Sequence, residues 1–441
     1  MSLLIRNGTI LTMNDAFDIV EGDVWIEDGR FAGVGLVPPD TRAATTIEAA
    51  GALVLPGFVQ THIHLCQTLF RGMADDLPLL AWLKRRVWPL EAAHDARTLA
   101  ASARLAAAEL LLGGTTSVLT METVHGTDAV FEALVPTGLR ATVGKCLMNA
   151  PDDDAPPRLH QATADAIAES VALDARWHDA ADGRLRAALA PRFAISCTRD
   201  LLEATAAVSA NRGLLVHTHA AEQREEVALV KARTGLDNLA YLASVGLATS
   251  RLCAAHCVWA TEAEAAILAE RDVKVLHCPS SNLKLGSGIA AVSELRARGV
   301  SVSIGADGAA CNNTLDMFHE MRLAAILQAM RLGPGALPAR EVVWMATREG
   351  ARALGREHEI GSIVVGKKAD VIVVGTDGVH QVPGDDPYSK LVYASGPRDV
   401  RATIVDGRIV ARNGELTWED RRAIAAEAAD AARALIGRAG L

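Results

Sequence analysis

The chain has 441 residues, half of them hydrophobic and only 4% aromatic, with a formal net charge of −9 and seven cysteines. Its length exceeds what one core usually sustains, so one large domain with a smaller companion is expected. Interspersed charges with an acidic excess argue against a nucleic-acid surface, and no apolar run reaches the roughly 18 residues of a membrane span. Cysteines scattered singly through apparent core segments do not form a disulfide framework; they fit a reducing cytosol, and a cytoplasmic location is expected. The opening "MSLLIRNGTILTMNDAFDIV" has no charged region ahead of a long apolar run, so no targeting signal is read.

From Leu3 to Leu55 the chain reads as short strands with tight hairpins at Asn7-Gly8 and Asp28-Gly29. Next come short apolar runs alternating with Ala/Leu/Glu-rich helical stretches. The runs are "LVLPGFVQTHIH", "TTSVLT", "LRATVGKCLM", "RAALAPRF", "LLVHTHAAE", "RLCAAHCVW", "VKVLHCPSS" and "SVSIGADGA". Eight such runs predict an α/β fold, a (β/α)8 TIM barrel with its active site at the C-terminal ends of the strands. "PDDDAPP" at Pro151 to Pro157 reads as an exposed loop. "ADVIVVG" and "VRATIVDGRIVARNG" return to the β style of the start, so both chain ends are expected to build one small β-sandwich domain. The expected domains are residues 1–56 and 361–415 for the sandwich, 57–360 for the barrel and 416–441 for a peripheral helical tail.

Polar residues gather where the predicted strands end. His62 and His64, two apart on a strand, point to the same side and can share one ion. Of His217 and His219, the second is nearer its strand end and is followed by Glu222, which favours it. His256 and Asp307 close two further strands. Three neutral imidazoles and a carboxylate suit one divalent ion, Zn²⁺ first and Fe²⁺ as the alternative, which lowers the pKa of bound water to about 7. The bland readings are a satisfied core histidine for His256 and a solvated, acid-rich helix start for Glu222.

The motifs "PGFVQTHIH", "HTHAAE", "AAHCVW", "HCPSSNLKLGSG" and "IGADGAACNNTLDMFHEMR", with "EIGSIVVGKKADVIVV" near the end, resemble the amidohydrolase superfamily in its cytosine-deaminase-like, one-metal branch. The resemblance implies metal ligation by His62, His64, His219 and Asp307. It assigns proton transfer and polarisation to Glu222 and His256, with Asp307 also taking the proton of the attacking water. The carboxylated bridging lysine of two-metal relatives has no counterpart in "LAPRFAIS"; Lys145 is the nearest lysine and reads as ordinary.

For the substrate, "HIHLCQ" and "PRFAISC" are similar to guanine deaminases, in which Gln67 and Arg192 would hold the polar edge of a purine; the alternative for Arg192 is a strand-end salt bridge. "QTLFRGMADDLPLLAWLKRRVWPLEAAH" and "DGAACNNTLDMFHEMRLAAILQ" resemble deaminases of adenosine-type nucleosides, with Asn312 at the substrate and Trp82, Leu83 and Trp88 as a lid or as core. "HxHxxQ" and "LGSG" are shared with s-triazine amino- and chlorohydrolases. The resemblance therefore implies hydrolytic deamination of an aminated purine, with 5′-deoxyadenosine, methylthioadenosine and S-adenosylhomocysteine first and guanine, 8-oxoguanine or a triazine second. A barrel that has lost catalysis and serves for binding is the contrasting class, and Glu222, His256 and Asp307 argue against it. The expected partners are a small aminated heterocycle and water, without nucleic acid or membrane, in a homodimer or homotetramer.

Overall fold

The computed structural model describes residues 2–38, 40–150 and 154–441. Its strands begin with β1 (Ser2–Leu11), β2 (Ile19–Glu27), β3 (Arg30–Gly35), β4 (Thr45–Glu48) and β5 (Ala52–Pro56). There follow β6 (Phe58–Ile63), β7 (Thr115–Met121), β8 (Arg140–Leu147), β9 (Leu185–Pro191), β10 (Val216–Ala220), β11 (Leu252–His256), β12 (Lys274–His277) and β13 (Val302–Ile304). The last are β14 (Val371–Gly375), β15 (Val400–Val405), β16 (Arg408–Arg412) and β17 (Glu415–Leu416).

β6 to β13 pair in parallel and in sequence order, and the intervening helices cover the outside. Their residues are buried almost throughout, as expected of strands packed on both faces. The ring closes where the Asp307 N–H donates to the His62 carbonyl at 2.9 Å. This is the TIM barrel read from the alternation of runs.

The other strands, from both chain ends, form a nine-stranded sheet ordered β17-β16-β15-β14-β5-β1-β2-β3, with β4 on β1. It curls on itself: Val24 and Ile26 of β2 share a core with Val371 and Val373 of β14 and Ile404 of β15, strands that are not its hydrogen-bonded neighbours. Asp28-Gly29 and Asp406-Gly407 turn the chain with both residues of each pair at positive φ, the backbone that a two-residue hairpin requires.

Two sequence expectations need correction. Asn7-Gly8 is not a hairpin. β1 runs straight through it, with Asn7 at φ 59° and the register with β2 shifting between Ile5 and Gly8, so the pair makes a bulge. "LVLPGFVQTHIH" is not one strand either. Pro56 ends β5 in the curled sheet and Phe58 opens β6 in the barrel, with Gly57 between them so tightly placed that a Cβ would meet Thr116 Oγ1 at 2.1 Å. Of the loop at Pro151 to Pro157, residues 151–153 lie outside the described residues; Asp154 is exposed and Ala155 is buried.

One segment covers the top of the barrel and a second packs behind it. Residues 79–92 form a bent helical stretch whose middle turn, Leu83–Val87, is widened so that the Trp88 N–H reaches back five residues to the Leu83 carbonyl. Pro89 explains the widening, because it has no N–H and its ring crowds the preceding turn. The final helix, Arg421–Ala439, lays Ala428, Ala431 and Leu435 on the cluster that includes Leu69, Trp82, Trp88 and Leu90. The tail read as peripheral therefore packs behind the cover of the barrel mouth. Among the described residues, no helix is long and apolar enough to cross a membrane.

Candidate active site

His62 is the last residue but one of β6 and His64 follows the strand, His219 is near the end of β10, and Asp307 is in the turn after β13. Their ligand atoms all lie within 4.8 Å of one another, and all four residues are buried. Asp307 Oδ1 stands 3.3 Å from His62 Nε2 and 3.1 Å from His64 Nε2, and His219 Nε2 is 3.4 Å from His64 Nε2. The far nitrogens are engaged: His64 Nδ1 is 2.7 Å from the Met121 carbonyl and His219 Nδ1 is 2.7 Å from the Arg192 carbonyl. A carbonyl only accepts, so Nδ1 carries the proton in each and Nε2 keeps its lone pair for the cluster. His217, the alternative that the sequence left open, lies below the cluster against His62.

Backbone geometry sets these positions. Gly305 passes so close to His62 that a Cβ would fall 2.6 Å from its N and O. Asp307 at φ 62° and His256 at φ 71° occupy the left-handed region, strained for such residues and typical of functional sites. Asp307 Oδ1 also accepts from the Gly308 N–H at 2.7 Å, and Oδ2 accepts from Ser281 Oγ at 2.6 Å.

These residues fit a divalent metal ion. Burial holds the His62 imidazole down to about 4 and holds His219 well below its usual value, which favours the neutral form that a metal ligand needs. Burial works against a charge on His64, while the hydrogen bond and charge of Asp307 raise it, so the carboxylate draws positive charge to the place suited to a cation. The same imidazoles hold Asp307 well below the carboxylate range despite its burial. His62 Nε2 is buried without any hydrogen-bond partner, a cost to folding that a metal bond would remove.

Two more polar groups border this cluster. His256 Nε2 lies 3.7 Å from Glu222 Oε2 and 3.9 Å from Asp307 Oδ2, also without a hydrogen bond, while His256 Nδ1 is 2.8 Å from Asn282 Oδ1. Glu222 is 1% exposed, so the solvated helix start does not describe it. Burial, then the charges of Asp307 and Glu226, raise its carboxyl well above the usual value, against the pull of Arg192. A neutral carboxylic acid beside the cluster can give a proton to a base.

A small cavity of about 10 Å³ opens on this array, lined by His64, His219, Glu222, His256 and Asp307 below and by Arg192, Phe193, Leu79, Trp82, Leu83 and Leu285 around and above. Trp82 and Leu83 face it; Trp88 is buried in the cluster behind. Arg192 Nη1 and Nη2 clasp Glu91 Oε2 and Oε1 at 2.5 and 3.2 Å, and Gln67 Nε2 donates to Glu91 Oε1 at 2.9 Å. Arg192 thus makes a salt bridge while lining the cavity, and Gln67 braces the same carboxylate. The Asn312 side chain turns to the Ala306 carbonyl (2.7 Å) and Glu320 (2.8 Å), holding the turn that carries Asp307 rather than lining the cavity. Lys145 bonds Gln161 at 2.7 Å, apart from the cluster.

Sequence reasoning missed Glu91 and Asn282. Glu91 was visible as the one acid in "RRVWPLEAA", and Asn282 as a polar residue of the short helix Pro279–Lys284 that follows β12.

A TIM barrel with three histidines and an aspartate converging at its strand ends, and a buried acid beside them, defines a metal-dependent hydrolase. The Amidohydrolase family model matches residues 53–410, and the chain belongs to that family. It is 42% identical over 437 residues, 99% of each chain, to the 5′-deoxyadenosine deaminase of Methanothermobacter thermautotrophicus. It is 40% identical over 440 residues, 99% of each chain, to the 5-methylthioadenosine/S-adenosylhomocysteine deaminase of Desulforudis audaxviator. A crystal structure of an adenosine deaminase from Xanthomonas campestris with bound zinc superposes with a TM-score of 0.92 at 35% identity, covering 99% of this chain and 98% of that one.

Proposed function

We propose that this protein is a hydrolytic deaminase of adenosine-type nucleosides, acting on 5′-deoxyadenosine, methylthioadenosine or S-adenosylhomocysteine with one Zn²⁺ held by His62, His64, His219 and Asp307. The observation that carries the reading is the buried Glu222 carboxyl, with Oε2 3.7 Å from His256 Nε2, beside the His256 and Asp307 pair at the floor of the cavity. The names of the full-length relatives support the substrate class, and the zinc in the related structure supports the metal. Held by His62, His64, His219 and Asp307, such an ion would supply a water acidic enough to act as a nucleophile at neutral pH.

The protein's own groups manage the protons. Asp307 Oδ2, held by Ser281 and turned towards His256, accepts a proton as water adds to C6 of the purine. Glu222 gives its proton to the adjacent ring nitrogen, so that charge does not build up on the ring. His256, its Nδ1–H directed at Asn282, presents Nε2 to the incoming oxygen. The proton held by Asp307 passes to the amino group, the C6–N bond breaks and ammonia leaves, and the hydroxyl proton returns to Glu222 as C6 becomes a carbonyl.

Arg192 favours the adenine ring over guanine. Bidentate reading of the guanine carbonyl would need both terminal nitrogens, and these already hold Glu91, leaving only Nε without a partner. The test is ammonia release from 5′-deoxyadenosine, methylthioadenosine, S-adenosylhomocysteine, guanine, 8-oxoguanine and an aminated triazine. Higher kcat/KM for the nucleosides is expected; a preference for guanine or the triazine would replace this reading with one of those.

A further inference from the structure

His217 lies outside the four-donor cluster, yet it is fully buried inside the barrel at the foot of the site. Its Nε2 is 2.6 Å from His62 Nδ1, and its Nδ1 is 3.2 Å from the Thr120 carbonyl. The two rings meet edge to face at 89°, with centroids 4.8 Å apart. We infer that His217 is a positioning residue that sets the tautomer and aim of His62, and so holds the metal centre together from below. The inference rests on the metal reading of the cluster.

The direction of the chain follows from what each atom can do. The Thr120 carbonyl can only accept, so the proton between it and His217 sits on Nδ1. With Nδ1 protonated, a neutral His217 can only accept at Nε2, so the proton in the 2.6 Å contact belongs to His62 Nδ1. His62 then has a bare Nε2, and that atom faces Asp307 Oδ1 at 3.3 Å with no hydrogen-bond partner. The opposite tautomer would put a proton where the ion must bind. Metal-bound histidines commonly donate their far N–H to a carboxylate, a carbonyl or water. Here His64 and His219 use carbonyls, whereas His62 uses a second imidazole that itself ends on a carbonyl.

His62 needs this support most. It sits at the centre of the array, with the rings of His64, His219 and His256 at 4.9, 4.9 and 5.2 Å in addition to His217. Its backbone carbonyl is also the acceptor for the Asp307 N–H that closes the barrel. A shift of His62 as a whole would disturb two ligands together. In the sequence, "HTH" supplies both residues at once: alternation along β10 sends His217 and His219 to the same side, one supporting a ligand and one serving as a ligand.

The test uses the metal-loaded protein and reads metal retention, so it does not depend on the substrate assignment. His217→Leu keeps the bulk but removes the acceptor; His217→Gln can offer an amide oxygen near the place of Nε2. Each holoprotein is equilibrated with graded chelator and its zinc content measured. His217→Leu is expected to lose zinc at a free-metal concentration about 10–100-fold higher than wild type, as loss of an outer hydrogen-bond partner typically does, with His217→Gln restoring much of the difference. Equal retention in His217→Leu and wild type overturns the inference, as does an equal loss in both variants. Should His217→Leu not fold, imidazole nitrogen NMR of the zinc-loaded wild type decides: both His62 and His217 are expected as Nδ1–H tautomers, and a proton on His217 Nε2 overturns the proposal. A wild type that retains no metal overturns the metal reading itself.

Discussion

Replacing Glu222 by glutamine removes one proton and almost nothing else. The side chain is buried, with Oε2 3.7 Å from His256 Nε2, and the backbone N–H bonds Glu226 Oε2 at 3.2 Å; glutamine preserves the volume and leaves the backbone bond intact. It cannot protonate the ring nitrogen. A positioned general acid or base typically contributes about 10²–10⁴-fold, or roughly 3–5 kcal/mol of barrier. Steady-state ammonia release should therefore show kcat lower by about two orders of magnitude or more, with zinc content and melting temperature at or above those of wild type. The stability has a definite sign: a carboxyl raised by burial costs stability as pH rises above the usual carboxyl range, and the amide does not. Turnover within about threefold of wild type would remove Glu222 from proton transfer, and metal loss in the variant would mean that the residue supports the site instead.

Four further outcomes follow from particular contacts. His219→Ala should lose zinc and activity together, because it removes one of four converging ligands; full retention of metal by elemental analysis would contradict its place. Gly305→Ala should destabilise the protein by about 1–3 kcal/mol in denaturant melts and weaken metal retention, since its Cβ would press on the His62 backbone at 2.6 Å; a silent substitution would contradict the tight closure. Arg192→Ala strands Glu91 as a buried unpaired carboxylate and should cost about 3–5 kcal/mol, whereas Arg192→Met with Glu91→Leu should cost much less; equal losses would contradict the pairing. Glu226 is raised to about 8 by burial, against an ordinary value of 4.5, so the folded state keeps a proton that the unfolded chain releases. Wild-type stability should fall as pH rises through that window, and the advantage of Glu226→Gln should grow with it, to at most about 5 kcal/mol; a gap that shrinks with rising pH would contradict the sign.

The barrel was legible because its signal is repeated: each apolar run ends in a turn and a polar residue, and eight repeats leave few other architectures. The four-residue cluster was legible because its members sit at or just past strand ends: alternation puts both histidines of "HIH" on one side, and in "HTH" the place along the strand separates His219 from His217. Residues whose meaning depends on distant packing were not legible. Glu91 lies 101 positions before Arg192, and only the folding of residues 79–92 over the barrel mouth brings the two together. Asn7-Gly8 has hairpin composition, but residues on both sides pair with the same strand, which favours a bulge. Pro56-Gly57 hides a passage between two sheets within one apolar run, because both strands are fully buried and hydrophobicity does not change at the junction.

The central claim is that one ion held by His62, His64, His219 and Asp307 makes this chain a nucleoside deaminase. The most direct measurement is titration of chelator-stripped protein with Zn²⁺ while following ammonia release from 5′-deoxyadenosine. The expected result is activity that rises linearly and saturates at one ion per chain. Saturation at two ions, or no ammonia from 5′-deoxyadenosine or methylthioadenosine at any loading, would contradict it.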